Sequence, residues 1–259
     1  MQNALIPATD KGNLSTLLNQ IEKGGKIDAT DQFDETALIY ASKIGNYSIT
    51  NLLLLKGAQV DLRGDGKTAL MDASENGHNK VAEILLKAGA IVDLREGDNH
   101  TALMYASQNG HNEVAKTLID NGGANVNFRG EGDFTALMCA SYYGHDGVAK
   151  ILIDGGANVN ERDAYGSTAL IFASREGHGK TAELLLTRGG ANIDARDNDG
   201  YTALMHASRE GHDQIAGYLK ERGAKVDISP ADRPDSPRTS VSPTSSGRLS
   251  PDAPQRGKD

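Results

Sequence analysis

The sequence predicts an all-α repeat solenoid, and three observations carry that reading. The tripeptide Thr-Ala-Leu begins at Thr36, Thr68, Thr101, Thr135, Thr168 and Thr202, at spacings of 32, 33, 34, 33 and 34 residues. A fixed period of this size is the signature of stacked supersecondary units. The composition agrees: 259 residues hold 30 Gly against 8 Tyr, 4 Phe and no Trp, so chain breaks are many and anchors for one central core are few. Proline placement supplies the boundary, because six of the seven prolines lie in residues 229–259.

Each unit reads as two short helices and a turn, shown whole by TALMDASENGHNKVAEILLKAGA from Thr68 to Ala90. Thr68 stands at the start of the first helix, where its hydroxyl can accept from an orphan backbone N–H. Ala69, Leu70, Ala73 and Ser74 give that helix a small, close-packing face, and Gly77 ends it. Val81, Ala82, Leu85 and Leu86 then form the single apolar face of a second helix, which Gly89 stops in the usual glycine position. Residues 91–100 suffice for a turn or hairpin into the next unit. Residues 3–28 are a degenerate first copy, with Asn3-Ala4-Leu5 and Gly12-Asn13 in the key places. The units fall near 3–35, 36–67, 68–100, 101–134, 135–167, 168–201 and 202–228, making a repeat domain over 1–228. Polar replacements mark both ends: Thr16 and Gln20 in the first copy, Lys220 in the last. Such outer faces are expected of capping units, so the array is expected to start and stop within the chain.

Residues 229–259 hold seven serines and few aliphatic side chains, too little apolar surface to offset the entropy of ordering, and read as a disordered tail. The tail carries net charge +1, which leaves −9 of the total −8 on residues 1–228. An acidic repeat domain offers no nucleic-acid footprint. The single Cys139 excludes an internal disulfide framework and suits a reducing compartment. No apolar run is long enough to span a membrane, and nothing marks a signal peptide. A monomeric protein of the cytoplasm, or else the nucleus, is expected.

The unit Thr-Ala-Leu-Met-x-Ala-Ser-x-x-Gly-His followed by Val-Ala-x-x-Leu-Leu-x-x-Gly-Ala resembles the ankyrin repeat. It differs in having Ala where that family usually has Pro, and Met or Ile where it usually has His. The resemblance implies helix–turn–helix–hairpin units, a curved solenoid, and a concave binding face lined by hairpin tips and first helices. It implies binding without naming what is bound.

Residues that recur once per unit are structural candidates, because equivalent atoms in a solenoid lie a whole unit apart. His78, His111, His145, His178 and His212 therefore read as links between neighbouring turns, and not as a metal site. Ser42, Ser74, Ser107, Ser141, Ser174 and Ser208 read as packing residues, and not as nucleophiles. No glycine stretch follows a phosphate-binding pattern. No catalytic residue, metal site or cofactor is predicted.

The singular residues are the informative ones. In ankyrin-like units the variable positions are the residue before Thr, the fifth residue counted from it, and the pair before Gly-His. Phe33, Tyr105, Phe134, Tyr142, Tyr143, Tyr165 and Tyr201, with Arg175 and Arg209, are the candidate partner-binding residues, since exposed aromatics and arginines anchor interfaces. Tyr40 and Phe172 share these positions and are expected to pack between first helices in part. Acidic residues there (Glu35, Asp72, Glu75, Asp98, Glu131, Glu176, Glu210) outnumber Lys43, Lys67, Arg175 and Arg209, a balance that favours basic peptides. Ser229, Ser236, Ser242 and Ser250 each precede Pro in the tail and are candidate phosphorylation sites.

The function expected is a non-catalytic interaction scaffold or adaptor for another protein. The alternative is an inhibitory or regulatory subunit that occludes a kinase or a transcription factor. Because a solenoid holds together by nearest-neighbour contacts, deleting residues 101–134 should leave a shorter, cooperatively folding helical protein. Circular dichroism through a thermal melt reads the outcome; loss of the cooperative transition would contradict the repeat reading.

Overall fold

The structure, a computed structural model, describes residues 14–226 other than residue 98. The first residues of the degenerate copy, Asp98, and the tail with Ser229, Ser236, Ser242 and Ser250 lie outside the described residues. Among the described residues there are thirteen α-helices. Helix α1 is Leu14–Glu22, and six pairs follow: α2 (Ala37–Lys43) with α3 (Tyr47–Leu55), α4 (Ala69–Glu75) with α5 (Asn79–Lys87), and α6 (Ala102–Gln108) with α7 (Asn112–Asp120). Then come α8 (Ala136–Tyr143) with α9 (Asp146–Asp154), α10 (Ala169–Arg175) with α11 (Gly179–Thr187), and α12 (Ala203–Arg209) with α13 (Asp213–Glu221).

Helices of 7 to 9 residues are too short to persist alone in water, so packing must hold them. Each packs against its partner in the pair and against its equivalents in the adjacent pairs. Two alanines per first helix make this possible: Ala37 and Ala41, Ala69 and Ala73, and their successors are buried to 2% exposure or less. Small side chains let successive first helices approach closely. The leucines at the third position of Thr-Ala-Leu, together with Leu53, Leu85, Leu118, Leu152, Leu185 and Leu219 of the second helices, make one continuous apolar spine. Each of the six described first helices is capped as the sequence predicts. The hydroxyls of Thr36, Thr68, Thr101, Thr135, Thr168 and Thr202 accept from the backbone N–H three residues on, at 3.3–3.4 Å.

Connections between pairs are turns, one of them a regular hairpin. Strands β1 (Arg63–Gly64) and β2 (Lys67–Thr68) pair antiparallel around Asp65-Gly66. Both turn residues have positive φ, 48° and 81°, which a tight two-residue hairpin turn demands and which Asp-Gly supplies at low cost. A polar ladder runs along the same side of the array. The side chains of Asp28, Asp61, Asp93, Asn127, Asn160 and Asp194 each accept from a backbone N–H in the next unit, at 2.7–3.2 Å. This Asx series shares the repeat period and is readable from sequence once the period is known.

The Gly-His pair makes a second series of bonds between units. Nε2 of His78, His111, His145, His178 and His212 donates to the carbonyl of Lys43, Glu75, Gln108, Tyr142 and Arg175 respectively, at 2.9–3.1 Å. The ring lies against the glycine of the preceding unit so closely that a side chain there would collide: a Cβ on Gly110 would stand 2.6 Å from Nδ1 of His145. Among the serines of the recurring Ala-Ser pair, Ser42, Ser74, Ser107, Ser141 and Ser174 are buried as expected. Ser208 is the exception. It is exposed, because no further first helix stacks on α12 among the described residues.

Gly110→Ala and Gly89→Ala separate backbone strain from this inter-unit contact. Both glycines have positive φ, 74° and 92°, but a Cβ on Gly89 meets nothing within 4 Å. Each substitution carries about 1 kcal/mol of left-handed strain, and Gly110→Ala should cost a further 1–3 kcal/mol from overpacking. Urea unfolding of the two variants measures the difference.

Candidate functional site

The fold gathers the variable positions onto one face, built from the first helices and the turns before them. On the units of α8, α10 and α12 that face is aromatic and arginine-rich. The Phe134 and Phe172 rings meet edge to face at 5.0 Å between centroids, Tyr142 lies 6.0 Å from Phe172, and Tyr143 lies 4.9 Å from Tyr142. Offset and edge contacts of this kind each contribute about 1 kcal/mol beyond burial. The Arg175 guanidinium covers Phe172 at 4.9 Å and Tyr142 at 6.0 Å, and Arg209 covers Tyr201 at 5.3 Å. Gln108 Nε2 donates to the Tyr143 hydroxyl at 3.4 Å. Burial, with the Tyr142 ring alongside, pushes that hydroxyl up to about 12. The structure thus brings Phe134, Tyr142, Tyr143 and Arg175 together, with Phe172 beneath them. Tyr201 and Arg209 pair separately one unit further on.

Two candidates stand apart at the turn tips. Phe33 is 64% exposed and Tyr165 58%. Each is held by an aspartate that folds its turn: Asp31 accepts from the Phe33 and Glu35 N–H groups, and Asp163 from those of Tyr165 and Ser167. These aromatics are presented by fixed backbone.

Tyr105 is not a surface anchor. It is 7% exposed, its ring lies under the Lys67 ammonium at 4.4 Å and beside His100 at 5.7 Å. Burial first, and then a hydrogen bond with Glu96, raises its hydroxyl well above the usual tyrosine range. The reason is general. The fifth position points into the seam between first helices, which the alanines have drawn close, so Asp72, Cys139, Phe172 and His206 are buried there as well. Burial pushes the Cys139 thiol up to about 12, leaving it unreactive.

The charged residues of this face are mostly spent on one another. Lys43 meets Glu35 at 2.7 Å, Lys67 meets Glu75 at 2.8 Å, Arg175 meets Glu176 at 2.9 Å and Arg209 meets Glu210 at 3.0 Å. These pairs take up all four cations, so the acidic excess expected from the sequence rests, among the described residues, on Asp72 and Glu131. His206 is satisfied too: Nε2 donates to Asp197 at 2.7 Å, while Nδ1 faces Arg209 at 3.4 Å. Asp72 differs. Its residue is 5% exposed, and among the described residues its carboxylate makes neither a hydrogen bond nor an ion pair. Burial pushes it up to about 7, against the pull of Lys67 and Lys43 and with the push of Glu75 and Glu35.

Among the described residues no group of three His, Cys, Asp or Glu is placed to hold a metal ion, and no helix is long and apolar enough to cross a membrane. The recurrent histidines have their Nε2 atoms bound to backbone carbonyls.

Comparison with known proteins assigns the family. Residues 5–96, 91–163 and 156–229 match the model described as ankyrin repeats (3 copies). The chain belongs to the ankyrin repeat family. Its fold matches the crystal structure of the human ASB11 ankyrin repeat domain with a TM-score of 0.78 at 24% identity, covering 87% of this chain and 100% of that one. No curated protein matches the sequence. Ankyrin repeats are in general protein–protein interaction modules.

Asp72 and the Asp197–His206 pair were not distinguishable in sequence from other polar residues at variable positions, since their state depends on what the adjacent unit brings against them. A buried carboxylate raised from 3.8 to about 7 destabilises the fold at high pH, by an upper bound on the order of 4 kcal/mol. The native state holds the proton more tightly, so stability is fullest below pH 3.8 and falls as pH rises to about 7. Asp72→Asn removes the charge at nearly constant volume. It should stabilise the protein by roughly 1–2 kcal/mol at pH 8, part of the gain being offset by an unpartnered amide, and lose that advantage near pH 4. Denaturant titrations at the two pH values check both halves.

Proposed function

We propose that this chain is a non-catalytic scaffold or adaptor that holds a partner protein on the face formed by its first helices and turn tips. The observation that carries the reading is the assembled aromatic group of Phe134, Tyr142, Tyr143 and Phe172, roofed by Arg175. Large rings already fixed by their neighbours lose little entropy on binding, which is what makes aromatic and arginine side chains efficient anchors. Tyr165 and Phe33 extend the same side at the tips, and Tyr201 with Arg209 extends it by one unit. Tyr105 is excluded from the contact set by its burial. The repeat domain is assigned to residues 1–228. The serines Ser229, Ser236, Ser242 and Ser250 are assigned as sites where a proline-directed kinase would add negative charge to the tail. The buried free Cys139 accords with a reducing compartment such as the cytoplasm. Nothing observed favours inhibition of a kinase or transcription factor over a scaffold.

Affinity purification on the wild-type protein and on the Tyr142→Ala/Tyr143→Ala double variant, compared by quantitative mass spectrometry, tests the assignment. Proteins held by the wild type should bind the double variant at least about 2 kcal/mol more weakly. The Lys87→Ala/Lys116→Ala control, on exposed positions of the second helices, should bind as the wild type does. Equal loss in both variants would remove this face from the interaction.

A further inference from the structure

The proposed face has two halves. The aromatic half lies on the units of α8, α10 and α12. The other half, on the units of α2, α4 and α6, is polar, and its charges do not balance. Lys43 and Lys67 are each tied to a glutamate, at 2.7 and 2.8 Å. Glu96 is engaged by the Tyr105 hydroxyl. At the centre stands Asp72 on α4, nineteen-twentieths buried and without a partner of its own. Tyr40 and Tyr105 occupy its equivalent position in the units on either side.

We propose that Asp72 is the receptor for a lysine or arginine side chain of the bound partner, an extended segment lying along the first-helix face. The inference rests on the scaffold reading and adds the chemistry of what is held. Charge decides the sign of the guest. With Asp72 ionised, Lys43, Lys67, Glu35, Glu75, Glu96 and Asp72 carry two positive and four negative charges, and one incoming cation halves the negative excess. An incoming anion would have to displace a short ion pair to find a donor. An unpartnered buried carboxylate is costly to the free protein, and a cation that completes it removes that cost on binding, as expected where a residue serves binding at the expense of stability. The Tyr40 ring of the preceding unit, half-buried at the equivalent position, suits the aliphatic stem of such a side chain. A segment of about 16 residues, at up to roughly 3.4 Å per residue, reaches from Asp72 to the Tyr142–Tyr143 group, so one ligand can engage both halves.

The test is selection from a phage-displayed library of random 16-residue peptides against the full-length protein and its Asp72→Asn variant. That variant is expected to fold, and circular dichroism confirms it. The wild type should enrich sequences sharing one Lys or Arg, and Asp72→Asn should not. The most enriched peptide is then synthesised with the basic residue and with citrulline or norleucine in its place. The neutral peptide should bind at least tenfold more weakly to the wild type and equally to Asp72→Asn. Ion pairing draws the proton from a carboxyl that titrates near 7, so the basic peptide should bind the wild type roughly tenfold more weakly at pH 6 than at pH 8. Asp72→Asn should lack that dependence, although Lys43, Lys67, Glu35, Glu75, Glu96, Tyr40, Tyr105 and His100 all remain around the position. Peptides that depend on Tyr142 and Tyr143 but share no basic residue, or that bind Asp72→Asn equally, would overturn this inference and leave the scaffold reading standing. No enrichment on the wild type would overturn both.

Discussion

The hydrogen bond from each Gly-His histidine to a carbonyl of the preceding unit is the constraint on which the array depends. It does three things at one place. It satisfies an orphan carbonyl at the end of a first helix, it seats an imidazole ring on the neighbouring glycine, and it fixes the distance between units. That distance decides the rest. With Gly110 against His145 and Gly144 against His178, successive first helices come close enough for alanine at Ala106, Ala140 and Ala173 to be the right size. The second helices are then set at the spacing their leucines fill. Burial disfavours the charged form of His145, while its bond to the Gln108 carbonyl favours it, so protonating this ring costs stability through the burial of charge and not through loss of the link.

A scaffold held in this way frees its other positions. The Asx ladder, the threonine caps and the Gly-His links bear the load of stacking, and all lie off the positions that vary. The variable row can therefore hold tyrosine in one unit and aspartate in another without loss of the fold. The chain uses that freedom unevenly. Paired charges and one uncompensated carboxylate occupy the units of α2 to α6, whereas aromatic rings under arginines occupy those of α8 to α12.

The aromatic group and Asp72 stand in opposite relation to stability. Phe172 is buried in the seam and Phe134 packs edge to face on it while staying half-exposed, so binding and folding draw on the same contacts. Asp72 subtracts from stability when ionised, and protonation returns what is lost. A face that mixes the two kinds of residue is rigid where it grips by shape and unsatisfied where it selects by charge.

The sequence by itself determined the repeat, the pairing of helices, the threonine caps, the glycine stops and the linking role of the histidines. Each is a local rule repeated at a fixed period, and repetition makes a weak local signal unambiguous. Even the Asx ladder, unread in the sequence, was present in it at the same period. Only the tertiary structure decided which variable residues are open. Tyr105 and Tyr142 look alike as tyrosines on first helices, yet one is sealed beneath Lys67 and Glu96 while the other meets solvent beside Arg175. The same holds for charge: Glu35 and Glu75 find lysines, and Asp72 finds none. The reason is that a variable position has no period to reveal its neighbours. Its environment is made by side chains about 33 residues away, each different in every unit, and that assembly exists only once the units are stacked.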